Sequence, residues 1–232
     1  MAHVLFVRHH VEDQPGLIGR ALVSLGHTLD VVLVDERAVV PSLAGADALV
    51  ILGSSESVYD AGTRERWLDR EFDLVVEADR RGLPILGICF GAQVLCQLAG
   101  GHVSRAAQSE LGWMTVDPAP GSPIEPGPWF AYHDDACRLP AQAEVLATSP
   151  RAVQAFRVGR HLGVQFHPEV DAAQLRAWFA ADSSAGRASA RAAAFVEQAL
   201  GHETSAFERA TRLVHHFWEG AARDAGNALR RP

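Results

Sequence analysis

The sequence predicts one α/β domain followed by a helical C-terminal extension. Two observations lead there: short β-prone apolar runs alternate with helical stripes from His3 to Ala99, and the chain beyond residue 182 carries helical patterning alone. A length of 232 residues with 48% hydrophobic content is enough for one well-packed core of this kind.

The elements follow in order. His3 to Val7 is an apolar β-prone run, Pro15 to Leu25 has apolar residues at helical spacing before Gly26, and Thr28 to Val34 is again β-branched, which reads as a βαβ unit. Ala46 to Leu52 is apolar throughout and ends at Gly53, as a strand buried on both faces does when it feeds a loop. A helix is expected after Thr63 as its cap, with Leu68, Phe72, Val75, Val76 and Asp79 on one stripe that is apolar until the last turn, and with Gly82 and Pro84 as its stop. Leu83 to Ile88 is another buried strand, and Gly91 to Ala99 a helix with Val94, Leu95 and Leu98 on one face. From Val103 to about Ala155 more Pro and Gly point to short strands and turns that could form a lip over a site. Leu162 to Phe166 is a strand, and a helix follows from Asp171 with Val170 and Leu175 placed as a hydrophobic staple. Asp182 to Gly186 reads as a polar linker, dividing the chain into a domain over 1–182 and an extension over 183–232. Two helical stretches are expected in that extension, the second opening at a Ser205-x-x-Glu208 capping box with Phe207, Ala210, Val214 and Phe217 as its stripe.

Composition narrows the function. A formal charge of −7 with dispersed cations argues against a nucleic-acid surface, so a small-molecule or protein partner is expected. No apolar run is long enough to span a bilayer and the N-terminus carries no charged leader, which predicts a cytoplasmic protein; Ala and Arg enrichment over Lys suggests a bacterial one. Three cysteines make no disulfide framework, leaving at least one thiol free for chemistry. The histidine pairs His9-His10 and His215-His216 have no Cys or carboxylate partners at ligand spacing, so neither a metal nor another cofactor is expected.

The sharpest motif is Gly87-Ile88-Cys89-Phe90-Gly91, where an apolar strand turns directly into a helix. This is a nucleophile elbow with Cys in the Ser position: the tight turn projects the central side chain, and flanking glycines let strand and helix approach. The free N–H groups of a helix N-terminus favour a thiolate there. An inert core cysteine is the alternative, and it is the reading given to Cys96; Cys137 is left open. The second motif, Gly163-Val164-Gln165-Phe166-His167-Pro168-Glu169, ends a strand on His167 and Glu169, which share a face at two-residue spacing. A carboxylate on one imidazole nitrogen sets the tautomer while the other nitrogen takes a proton, a base with its orienter. The third element is Gly53-Ser54-Ser55 after its strand: parallel strands put Gly53, Cys89 and His167 at one sheet edge, and the backbone N–H groups of Gly53 and Phe90 are the candidate oxyanion donors for acyl transfer to sulfur.

Together the cysteine elbow, Phe166-His167-Pro168-Glu169 and the Gly53 loop resemble the class I (triad) glutamine amidotransferases, over about His3 to Phe179. Through Ser57-Val58-Tyr59-Asp60, Glu110-Leu111-Gly112-Trp113 and His133 the chain is most similar to the stand-alone members related to the glutaminase domain of GMP synthase. The resemblance implies an open, mostly parallel sheet flanked by helices (flavodoxin-like), a Cys89–His167–Glu169 triad, a γ-glutamyl thioester, and a substrate-binding role for Gln93 and His133. Two positions depart from the pattern: Gly53-Ser54-Ser55 stands where the family usually has Gly-Gly-Pro, and Asp134 where relatives carry glycine. Nothing after Phe179 resembles a synthetase domain, so ammonia would pass to a synthetase partner chain. The alternatives are a γ-glutamyl peptidase using the same nucleophile and a binding module whose chemistry has been lost.

Overall fold

The computed structural model describes residues 1–34, 41–181, 188–222 and 228–231. The chain opens with β1 (His3–Arg8), α1 (Gly16–Ser24) and β2 (Thr28–Leu33), and β1 and β2 pair in parallel as the βαβ pattern requires. β3 (Ala48–Ile51) joins the other side of β1. A short α2 (Ala61–Thr63), a π-helical turn (Arg64–Leu68) and α3 (Asp69–Arg80) lead to β4 (Ile85–Ile88), which turns at once into α4 (Phe90–Leu98). Next come β5 (His102–Met114), β6 (Asp117–Pro118), β7 (Trp129–Arg138), β8 (Glu144–Thr148), β9 (Val153–Val158) and β10 (His161–Val164), then α5 (Ala172–Ala181) and α6 (Ala188–Ala221).

The main sheet has eight strands in the order β2-β1-β3-β4-β10-β9-β8-β6. Its first five strands run parallel and the last three are added antiparallel. Neighbouring residues of one strand enter opposite cores. Val4, Phe6, Val50 and Leu52 pack with α1 and α6, while Leu5, Val7, Leu49 and Ile51 pack with α3 and α4. That is why these strands read as unbroken apolar runs: both pleat faces are covered by helices. β5 and β7 form a separate antiparallel ladder with a bulge between Arg105 and Glu110.

Three expectations change. Between Val103 and Ala155 the strands are longer than expected, because β5 exposes much of its length and no apolar run marks it. The helix after the third strand is capped by Asp60, whose carboxylate accepts the Thr63 N–H at 2.7 Å, and Thr63 instead donates its hydroxyl to Glu56 and Asp60. The C-terminal stretch is one helix rather than two: Ser205 lies inside α6 and donates to the His202 carbonyl. Burial of Ala199, Ala206, Ala210, Val214 and Phe217 along one stripe keeps the helix continuous past the local cap signal, since packing of an apolar face outweighs propensity. The Asp182–Gly186 linker lies outside the described residues. Among the described residues no helix is long and apolar enough to cross a membrane.

The approach of α4 to the sheet is set by glycine. A Cβ on Gly91 would sit 2.3 Å from the Ile51 carbonyl oxygen. Gly91→Ala is therefore expected to destabilise the fold by about 1–3 kcal/mol, the usual cost of overpacking. A lowered urea midpoint at unchanged m-value is the readout; an unchanged midpoint would mean that α4 can withdraw from β3 without loss.

Candidate active site

The carboxyl ends of β1, β3, β4 and β10 meet at one edge of the sheet, where an open α/β fold binds its ligands. Cys89 ends β4 and starts α4. Its backbone is at φ +52°, ψ −102°, the one non-glycine with positive φ among the described residues. Such a conformation costs on the order of 1–3 kcal/mol and persists only where neighbours hold it. Here the Cys89 N–H donates to the Val164 carbonyl at 2.8 Å and the Cys89 carbonyl accepts the Gln93 N–H at 3.1 Å. Gly87 is equally constrained, as a Cβ there would meet the Gly91 carbonyl oxygen at 2.4 Å.

His167 and Glu169 come together as their spacing predicts, with Nδ1 to Oε1 at 2.7 Å and both side chains buried. The His167 N–H donates to the Phe130 carbonyl at 2.7 Å, which ties this segment to β7. Burial opposes charge on the imidazole, but the Glu169 carboxylate and the Cys89 sulfur outweigh it and hold the His167 pKa well above its ordinary value. A Cβ on Gly53 would lie 3.1 Å from His167 Cε1 and 3.9 Å from Cys89 Cβ. Glycine at 53 is thus what leaves room between the expected nucleophile and base. Phe90 is the first residue of α4, so its N–H has no acceptor within the helix.

Gln93 is buried in the first turn of α4, with Nε2 3.5 Å from Gln165 Oε1. His133 is committed on both ring nitrogens, to Glu110 Oε2 at 3.1 Å and the Asp135 carbonyl at 3.0 Å. Burial favours the neutral Glu110 carboxyl, but hydrogen bonds from His133 and Ser149 win and lower its pKa. The Ser57-Val58-Tyr59-Asp60 motif has a structural account: Ser57 and Tyr59 donate to Asp135, Val58 is buried, and Asp60 caps α2. Asp134 is exposed and pairs with Arg105 at 3.3 Å. Cys96 and Cys137 are buried in the core; contact with Cys96, together with burial, pushes the Cys137 thiol pKa well up. A cavity of about 610 Å³ opens over Cys89 and is lined by Gly53, Gln93, His133 and His167 among others.

Some neighbours of the site were not singled out in the sequence. Gln165 donates to Cys89 Sγ at 3.5 Å, and its signal was the same two-residue spacing that pairs it in face with His167. Trp178 packs edge-on against the His167 ring with centroids 5.0 Å apart, and Asp13 accepts its indole N–H at 2.8 Å. Leu17 at the start of α1 donates to the Glu169 carbonyl at 2.8 Å, and Gly16 at φ +49° leaves space for that carbonyl. The contacts of Trp178 and Leu17 cross long stretches of chain, and no local pattern announces them.

An open α/β sheet with a strained cysteine elbow beside a His–Glu pair defines a recognisable class of fold and site. The chain belongs to the class I glutamine amidotransferase family, whose model, "Glutamine amidotransferase class-I", matches residues 16–182. The glutamine-hydrolyzing GMP synthase of Staphylococcus epidermidis is 35% identical over 130 residues, 53% of this chain and 24% of that protein, and its Staphylococcus aureus counterpart is 34% identical over the same extent. The match thus spans about a quarter of the length of these curated relatives. A glutamine amidotransferase from Thermotoga maritima superposes with a TM-score of 0.84 at 25% identity, covering 94% of this chain and 98% of that one. One from Methylobacillus flagellatus shares the fold with a TM-score of 0.80 at 19% identity, covering 97% of each chain.

Glu169→Gln keeps the side-chain size but removes the charge that raises the His167 pKa. Turnover of a γ-glutamyl substrate is expected to fall at least about a hundredfold, mainly in kcat. Because the imidazolium is then lost at lower pH, the alkaline limb of the pH–rate profile should move to lower pH. A limb that stays in place would show that Glu169 does not hold the charge on His167.

Proposed function

We propose that this protein hydrolyses the side-chain amide of glutamine through a γ-glutamyl thioester on Cys89, releasing ammonia for an acceptor on a synthetase partner chain. The observation that carries this reading is the convergence of Cys89, Gly53 and His167 on one cavity, with Glu169 bonded to His167 behind it. His167 takes the thiol proton and the sulfur attacks the carboxamide carbon. The resulting oxyanion accepts from the backbone N–H groups of Gly53 and Phe90. His167 then protonates the departing nitrogen, the C–N bond breaks and ammonia leaves. Water attacks the thioester, giving its proton to His167, and glutamate is released as the C–S bond breaks and the thiol is restored. Gln93 holds the substrate from the first turn of α4, and His133, which lines the same cavity, is the second substrate-binding residue.

Glutamine as the substrate is supported by the GMP synthase relatives, which are glutamine-hydrolyzing enzymes. A synthetase as the site that takes the ammonia is supported by the same relatives, which are glutamine-hydrolyzing synthases. A division into an amidotransferase domain over 1–182 and an extension over 183–232 is supported by the family match ending at residue 182. One observation favours a γ-glutamyl peptidase as the second reading: the cavity runs past Cys89 to Glu12, Glu56, Arg105 and Asp134, charged groups for which an ammonia leaving group has no use.

The purified chain, incubated separately with glutamine and with γ-glutamyl peptides, distinguishes these. A glutamine-like electrophile should label Cys89, glutamine should be hydrolysed slowly by the chain alone, and turnover should rise when the synthetase partner is added. Fast, partner-independent cleavage of γ-glutamyl peptides with glutamine a poor substrate would establish the peptidase, and failure to label Cys89 would leave the binding module. Cys89→Ala should abolish turnover while Cys96→Ala and Cys137→Ala retain it; residual wild-type turnover in the Cys89 variant would remove the thioester from the mechanism.

A further inference from the structure

We propose that His9 and Glu71 form a buried positioning pair that holds the two sides of the oxyanion site together from behind, without touching substrate. This rests on acyl transfer at Cys89. His9 follows β1 directly and is 7% exposed, and Glu71, in the first turn of α3, is 2% exposed. His9 Nδ1 lies 2.8 Å from the Gly53 carbonyl oxygen and Nε2 lies 2.9 Å from Glu71 Oε2.

A carbonyl and a carboxylate only accept, so both ring nitrogens must donate and His9 is held as an imidazolium against Glu71. Burial works against that charge, yet Glu71 outweighs it and raises the His9 pKa. The ring is also fixed in plane. It stacks on Trp67 with centroids 4.8 Å apart and 27° between planes, and meets Phe90 edge-on at 4.9 Å. Trp67 and Phe90 in turn lie 5.6 Å apart.

The two residues that His9 contacts toward the site are therefore Gly53 and Phe90, the pair whose N–H groups are assigned to the oxyanion. At Gly53 the contact has a specific effect. Glycine is the softest residue in the loop, and with no Cβ it does not set its own ψ. Anchoring its carbonyl fixes the planar Gly53–Ser54 peptide as a unit and so sets ψ at Gly53; the Gly53 N–H, which belongs to the preceding peptide, is held through that fixed turn. At Phe90 the ring contact stops the first turn of α4 from rotating. Glu71 and Trp67 come from the segment between β3 and β4, so the pair ties the Gly53 loop to the elbow through a third element. The two members depend on each other, since removing one hydrogen-bonded partner would leave the other unmatched in the core.

The test compares two reactions of the full chain at the same sulfur. Alkylation of Cys89 by iodoacetamide is a displacement at a saturated carbon and forms no oxyanion, whereas acylation by γ-glutamyl-p-nitroanilide, read as release of p-nitroaniline in a single turnover, does. His9→Phe keeps the ring stack and loses both hydrogen bonds; acylation should slow by on the order of a hundredfold, as when one oxyanion donor is removed, with alkylation and KM near those of wild type. Glu71→Gln keeps an acceptor for Nε2 and should show a smaller loss of the same kind. Acylation and alkylation falling together, or acylation unchanged, in either variant would overturn the proposal. If His9→Phe does not fold, Glu71→Gln decides by the same criterion. Wild-type protein that is alkylated but never acylated would overturn the hydrolase reading itself, and this inference with it.

Discussion

The backbone at Cys89 is the constraint on which the rest of the site depends. A residue with a side chain at φ +52° is stable only if the strand before it and the helix after it are both locked. β4 is locked by parallel pairing with β3 and β10, and α4 by its contact with Ile51 through Gly91. The hydrogen bond from Cys89 to Val164 joins the elbow to the strand that delivers His167. Strain at one residue is thus balanced by sheet pairing and by two close glycine contacts, and the sulfur and the imidazole are positioned by the same framework.

Buried histidine–carboxylate pairs recur around this framework. His9–Glu71, His133–Glu110 and His167–Glu169 all stand near the cavity, at 2.9, 3.1 and 2.7 Å. Burying such pairs is expensive, and an apolar replacement of equal volume is often no less stable. What they provide is direction, because a hydrogen bond selects one orientation of a ring within its packing. A fourth pair, His161–Asp79 at 3.0 Å, serves the chain terminus instead: Asp79 also accepts the N–H groups of Ala228 and Leu229. Burial alone would favour the neutral carboxyl of Asp79, and these hydrogen bonds lower its pKa against that effect.

Helix α6 closes the core on the α1 side of the sheet. Its stripe of Ala210, Val214 and Phe217 joins α1 and the inward faces of β1 and β3 in one cluster. The same face carries Arg209, which donates to the Pro128 carbonyl just before β7. Near its start Phe195 packs with Phe130 and Phe179, so the extension also supports the ladder and the helix that bound the cavity.

The sequence by itself determined the parts of this protein that local rules govern. Apolar runs buried on both faces, helical stripes, and glycines on either side of Cys89 each express a short-range physical demand, so the βαβ unit, the elbow and the His167–Glu169 spacing were legible. Tertiary structure decided what depends on distant segments. Asp60 rather than Thr63 caps the helix because the chain enters the helical path one turn early, and α6 runs through Ser205 because a buried stripe outweighs a cap. β5 carried no apolar run to mark it. The role of His9 could not be read from a lone His-His pair, because its partners Gly53, Glu71, Trp67 and Phe90 lie far along the chain and meet only when the sheet brings strand ends and helices to one edge.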